Sequence, residues 1–410
     1  MTLSATKIQT KEPEQGPLAE SGFSHRRLPT PRFTLDGGAE LENHLARTCQ
    51  QVLAGVQSIM PAEKLEAILL GGGYGRGEGG VLKTESDDRP YNDLEFYVCL
   101  RGNVWLNEQR YARAMRGLAG ELSLEAGVEV ELKLFSLAKL HRSPISMFYY
   151  DLVMGHRWIW GEEKLLAGCE RHRHAERIPL SEATRLLMNR CSGLLFAKER
   201  LLRDAFTPDD ADFVGRNLAK AQLAFGDAVL TAFGQYHWSC RERHARLERL
   251  RVDGDLPWPP RVLENHFAGM SFKLHPRRTT ATTTALATEH GAVVALGLRV
   301  WLWLESRRLN HPFASARDYA LSPINKCPES NRWRNRLVNL KTFGPANLFK
   351  ATSGTDPRAR LLHSLPLLLF EPATPHDSRL LGRVQSELRT TARTWGELVM
   401  AYRSLWCRFN

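Results

Sequence analysis

Cysteine is scarce and scattered: seven stand in 410 residues, Cys49, Cys99, Cys169, Cys191, Cys240, Cys327 and Cys407, with no Cys-x-x-Cys pair among them. That spacing excludes a disulfide framework or a zinc ribbon and fits a reducing, cytoplasmic setting. No apolar signal core opens the chain, because Met1 to Pro31 is polar and rich in Pro, Glu, Lys and Arg, the composition of a disordered lead-in. The most apolar late segment, Gly291 to Leu304, contains Arg299 and is flanked by Glu289, His290, Glu305, Arg307 and Arg308. It falls short of the roughly 20 residues that a bilayer demands, so no membrane partner is expected. Internal repeats, heptads and RNA-binding signatures are also missing.

Positive charge, by contrast, is in excess. Fifty-six Lys and Arg against 45 Asp and Glu leave a formal charge of +11, which favours polyanionic partners such as nucleotides, RNA or acidic protein surfaces. The length suffices for two or three domains with a sizeable core.

The chemistry concentrates between Ala67 and Ser136. The apolar run Ile68-Leu69-Leu70 breaks into Gly71-Gly72-Gly73-Tyr74-Gly75-Arg76-Gly77-Glu78-Gly79-Gly80, which predicts a strand ending in a glycine loop. Asn92-Asp93-Leu94-Glu95-Phe96-Tyr97-Val98 predicts a second strand with two carboxylates on one face. Val128 to Phe135 predicts a third, with valine and leucine at even positions and Glu129, Glu131 and Lys133 at odd ones. Strand carboxylates two residues apart stand roughly 6–7 Å from each other, a gap that one divalent ion bridges. Their repulsion calls for a cation, and a hard, oxygen-seeking ion such as magnesium, with manganese as its substitute, answers it. The glycine loop offers backbone N–H groups that no side chain shields, as a polyphosphate needs. Metal and phosphate together point to phosphoryl or nucleotidyl transfer.

In this order the motifs resemble the nucleotidyltransferase superfamily typified by DNA polymerase beta, poly(A) polymerases and aminoglycoside nucleotidyltransferases. The resemblance covers about the first third of the folded chain. Gly72 and Gly73 match its Gly-[Gly/Ser] pair, Asp93 and Glu95 its paired metal ligands, and Glu131 its third carboxylate, with Glu129 on the same face as the alternative. The family often carries serine where this chain has Gly73, so phosphate contact is expected to fall to the backbone of Gly72, Gly73, Tyr74 and Gly75 and to Arg76. Val81 to Tyr91 lengthens the connection between loop and acidic strand and reads as a hairpin insertion.

The fold class expected is α+β: a small mixed sheet with flanking helices, followed by a mainly α-helical domain. The lead-in spans 1–38, the nucleotidyltransferase-like domain 39–168 and the helical domain 175–410, with a possible subdivision near 252–284. Periodicity predicts helices over Ala39 to Met60, Asn107 to Ala126, Met147 to Met154, Glu182 to Arg203 with Ser181 as cap, Asp212 to Tyr236, Ala285 to Leu309, Ser330 to Leu340, Arg379 to Thr391 and Thr394 to Asn410. Arg157 to Gly161 reads as a closing strand, Arg171-His172-Arg173-His174 as a solvated basic linker, and Trp301, Trp303, Trp333, Trp395 and Trp406 as core or interface anchors. The helix over 212–236 carries a polar stripe of Asn217, Lys220, Asp227 and Thr231. Two readings stand for it: a structural network of Lys220 and Asp227 with Asn189 or Arg190, or Lys220 reaching the nucleotide.

The resemblance implies transfer of a nucleoside monophosphate from a triphosphate, ATP foremost, to an acceptor that is a protein, an RNA or a small molecule. Asp93 and Glu95 would hold the metal that grips the triphosphate, Glu131 would help hold a second and take the acceptor's proton, and the displacement would run in line. The alternatives are a nucleotide-binding regulator or antitoxin-like protein without turnover, and a basic RNA-binding scaffold.

Overall fold

The computed structural model describes residues 32–251, 259–345 and 351–409, and residues 33–410 group as one compact unit. Phe33 and Thr34 are already packed: both backbone N–H groups donate to the Glu42 carboxylate at 2.8 and 3.0 Å, Thr34 bridges to Gly79, and the Arg157 guanidinium lies 3.8 Å over the Phe33 ring. Of the expected lead-in, residues 1–31 lie outside the described ones.

Helix α1 (Ala39–Ile59) buries Leu41, Leu45, Val52 and Val56 along one stripe. It leads to strand β1 (Leu65–Leu70), the glycine-rich helical turn α2 (Gly72–Gly75), the hairpin β2 (Val81–Lys83) and β3 (Asp88–Pro90), and strand β4 (Leu94–Leu100). Helix α3 (Val104–Ala126) is capped by Asn103 and stopped by Gly127 in the left-handed conformation. Strand β5 (Val130–Phe135), the short helices α4 (Leu137–Arg142) and α5 (Met147–Met154) and strand β6 (Arg157–Gly161) complete the layer.

The four-stranded sheet has the order β5-β4-β1-β6, with β4 and β5 parallel and the other pairs antiparallel. The architecture is therefore α+β with a small mixed sheet. Alternation assigns its faces: Ile68, Leu70, Phe96 and Val98 meet α1 and α3, while Ala67, Leu69, Tyr97 and Cys99 meet α4 and α5. Both faces are covered, so polar groups are left to the sheet's ends and to its β5 edge. The 3₁₀ segment Glu163–His172 departs from the solvated linker expected at 171–174, because His172 is fully buried with Nε2 3.0 Å from the Leu140 carbonyl.

The helical layer is built on α6 (Leu180–Leu201) and α7 (Pro208–Ala232). Helix α6 starts one residue before Ser181, with Pro179 at its cap. A capping box between Thr207 and Asp210 starts α7, and Arg200 and Arg203 close on Asp210. Next come α8 (Cys240–Arg249), α9 (Pro259–Leu274), α10 (Thr283–Leu309), α11 (Ala316–Leu321), α12 (Arg332–Phe343), α13 (Pro357–Phe370), α14 (Ser378–Leu388) and α15 (Trp395–Phe409). Their core gathers Leu194, Phe225, Trp301, Leu365 and Tyr402, whereas Trp333, expected as an anchor, is 74% exposed. Among the described residues no helix is long and apolar enough to cross a membrane.

Candidate functional site

Strand register assembles the acidic cluster. β4 and β5 run parallel with Glu95 opposite Glu131, so the two carboxylates leave the same face at the beginnings of both strands. Asp93 stands two residues before Glu95, just ahead of β4. Asp93, Glu95 and Glu131 each offer an oxygen within 4.8 Å of the others'. Glu129, the alternative third carboxylate, lines the neighbouring cleft but does not join the group.

The glycine turn lies directly against this cluster. Gly72 has φ +61°, and a Cβ there would sit 3.2 Å from Glu95 Oε2. Its backbone thus approaches the carboxylates as closely as only glycine allows. The opening amides of the turn, from Gly72 to Tyr74, have no partner four residues back within it. Gly75 faces inward instead, since its N–H donates to the Gly71 carbonyl at 3.0 Å and a Cβ would stand 2.2 Å from the Leu70 carbonyl oxygen. The Tyr74 side chain is likewise structural. Its ring is buried, and its hydroxyl donates to the Gly80 carbonyl at 2.8 Å and accepts from Tyr91 N–H at 3.0 Å. Arg76 turns toward Asp151, 3.6 Å away, rather than standing free.

Sequence reasoning missed the role of Lys133. It follows Glu131 by two residues on the same face, and its ammonium lies 3.0 Å from Glu95 Oε1 and 2.5 Å from Glu131 Oε2. Burial opposes that charge, but Glu131 and Glu95 outweigh it and hold the Lys133 pKa above the usual lysine range. Asp93 is shifted upward, first by the protein packed around it and then by the Glu95 charge. All three donors are hard carboxylate oxygens, as magnesium or manganese requires, and their repulsion is only partly relieved by Lys133. The set fits a divalent cation.

Asp93 opens onto a cleft of about 790 Å³ between the sheet's end and α6, α7 and α9. Its far wall carries Arg190, Arg216 and Lys220, and Lys273 and the Phe148 ring also line it. Arg216 pairs with Asp212, whereas Arg190, Lys220 and Lys273 enter no ion pair among the described residues. The surrounding protein, then Arg190 and Arg216, lower the Lys220 pKa, and Asp93 opposes the shift. Asp227 does not pair with Lys220. It is buried, with Arg243 Nε at 2.7 Å and His266 Nε2 at 3.1 Å from Oδ1, so α8 and α9 supply its partners. Of the two readings of the stripe, the Lys220–Asp227 network is not formed: Arg243 and His266 hold Asp227, and Lys220 lines the cleft.

Glu78 closes the glycine segment onto the helical layer. Only 3% exposed, it accepts from Ser239 Oγ at 2.5 Å and from Cys240 N–H at 2.9 Å, at the start of α8. Burial alone would raise its pKa, yet Lys273 and these hydrogen bonds hold it below the ordinary carboxylate value. A carboxylate at the positive end of a helix is favoured in its charged form. Compared with protein-family models, curated proteins and solved structures, the chain matches none of them.

Proposed function

We propose that this protein is a metal-dependent nucleotidyltransferase that moves a nucleoside monophosphate from a triphosphate to an acceptor hydroxyl or phosphate. The observation that carries the reading is the convergence of Asp93, Glu95 and Glu131 beside the glycine turn, at the edge of a cleft whose opposite wall is cationic. Asp93 and Glu95, with Glu131, would hold magnesium, or manganese in its place, which supplies charge neutralisation for the phosphates. The backbone amides of Gly72, Gly73 and Tyr74 receive phosphate oxygens, and Lys220 and Arg190 meet the triphosphate from the helical side. An acceptor oxygen attacks the α-phosphorus and loses its proton to a carboxylate of the cluster. The bond from the α-phosphorus to its bridging oxygen breaks, and pyrophosphate leaves. Gly75 and the Tyr74 side chain serve the shape of the turn, and Arg76 acts from its Asp151 contact.

Incubation with labelled ATP, CTP, GTP or UTP and magnesium, in the presence of RNA, lysate proteins and small-molecule fractions, tests the reading. Label should appear on one acceptor class and vanish with Asp93→Asn. That variant should melt at or slightly above the parent temperature, because one anion fewer relieves the cluster. Undiminished transfer by Asp93→Asn would remove Asp93 from the mechanism, and nucleotide binding without transfer to any acceptor would favour the regulator instead.

A further inference from the structure

The acidic cluster is asymmetric. Lys133 closes the gap between Glu95 and Glu131 with contacts of 3.0 and 2.5 Å, while Asp93 enters no ion pair among the described residues and lines the cleft. Nothing about this arrangement is accidental to the strand. In the parallel register Lys133 stands opposite Tyr97, so its stem leaves β5 on the carboxylate face, and its ammonium lies 5.6 Å from the centre of the Tyr97 ring. That ring in turn packs against Phe135 and Phe148, at 5.8 Å from each. The ammonium therefore has an anion on two sides and an aromatic ring near it, a setting that favours a compact cation.

Charge counting then separates two cases. Three carboxylates carry three negative charges, and a resident ammonium leaves two, which one divalent ion neutralises. A second divalent ion would have to displace Lys133 from both glutamates or share their oxygens with it at contact distance, where like charges repel strongly.

We propose that Lys133 is a built-in cation of the carboxylate cluster, occupying the position between Glu95 and Glu131, so that the protein takes up one divalent ion at the Asp93 side instead of two. This rests on the cluster being a metal site, and it makes a claim that the reading above does not: the second cation of the reaction is part of the polypeptide. Asp93, which lines the cleft, and Glu95 would hold that single divalent ion. Lys133 holds Glu95 and Glu131 in place and screens their charge from the incoming phosphates.

Manganese counts the sites. The free protein is titrated with Mn²⁺ alone, unbound ion is read by its electron paramagnetic resonance signal, and melting temperature is recorded at each ratio. The parent should bind one ion per chain. Lys133→Met should bind two, with the dipolar broadening of neighbouring ions, and should melt lower than the parent without metal but gain more from it. Lys133→Arg, which keeps a cation at the position, should bind one and serves as the folded control. Two ions in the parent, or one in both the parent and a folded Lys133→Met, would overturn the proposal while leaving the metal site standing. No ion bound by any of the three would overturn the proposal and the metal reading together.

Discussion

At the scale of single residues, Glu78 shows how a side chain remote from the carboxylate cluster can hold the site together. Its carboxylate accepts from Ser239 and Cys240 across 161 and 162 positions of sequence, so the glycine segment and α8 are tied at one buried charge. The folded-state pKa lies below the ordinary glutamate value. Such a group stabilises fully above the unfolded pKa of about 4.3, and its contribution is lost as pH falls through the folded value. Glu78→Gln should therefore cost about 1.5–3 kcal/mol near neutrality, the range for hydrogen bonds to a charged group, and the gap to the parent should narrow in acid. Melting curves of both proteins from neutral pH downward decide this. Parallel curves throughout would show that the Glu78 charge has no special partner. Nothing in the sequence singled out Glu78, because its partners are far along the chain and a glutamate among glycines reads as a solvated loop charge. Lys133 was hidden in another way: alternation placed it on the charged face but does not say which charges on that face touch.

At the scale of elements, helical spacing carried the reading of α1 and α3 and alternation that of β5, whereas β1 and β4, buried on both faces, were legible as short apolar runs, β4 opening with one alternating period at Asp93-Leu94-Glu95. The hairpin expected at Val81 to Tyr91 is formed by β2 and β3. Two helices were illegible for a shared reason, namely proline. Helix α9 opens at Pro259, where a missing N–H costs nothing, yet the cluster Pro257, Pro259 and Pro260 reads as a loop. Helix α13 carries Pro366 in its interior and is held by burial on all sides rather than by propensity. The loss mattered, because α9 brings Lys273 and Phe272 to the cleft and His266 to Asp227. Its approach to α7 depends on Gly269, where a Cβ would stand 2.5 Å from both the Ala219 carbonyl oxygen and the Leu223 nitrogen. Backbone on both sides leaves nothing to give. Gly269→Ala should therefore destabilise by about 1–3 kcal/mol, as overpacking does, while Gly117→Ala on α3, which meets nothing within 4 Å, should stabilise by up to about 1 kcal/mol. Chemical denaturation of the two variants compares them directly. Equal effects would mean that α9 can retreat from α7 without penalty.

At the scale of the whole molecule, the sheet's end supplies the anions and the helical layer the cations, with the cleft between them. The sequence disclosed the acidic half because its residues lie close together on strands of fixed period. The cationic half is assembled from α6, α7 and α9, and only Lys220 was foreseen, as one of two readings. With Asp227 now held by Arg243 and His266, a structural role for Lys220 has lost its partner. Its ammonium stands near Arg190 and Arg216, which disfavour its charge, and near Asp93, which favours it. An anion bridging the cleft would relieve the first and pay for ordering both walls. Lys220→Met should accordingly weaken ATP binding by about 1.5–3 kcal/mol, roughly ten- to a hundredfold, and the deficit should shrink as salt screens the cleft. The melting temperature of the unliganded variant should hold or rise, because a like charge has been removed from beside Arg190 and Arg216. Calorimetric titration with ATP at two salt concentrations, with a melting curve on the same preparation, separates the cases: lower stability with unchanged affinity would return Lys220 to a structural role, and no change in either would take it out of the cleft's function.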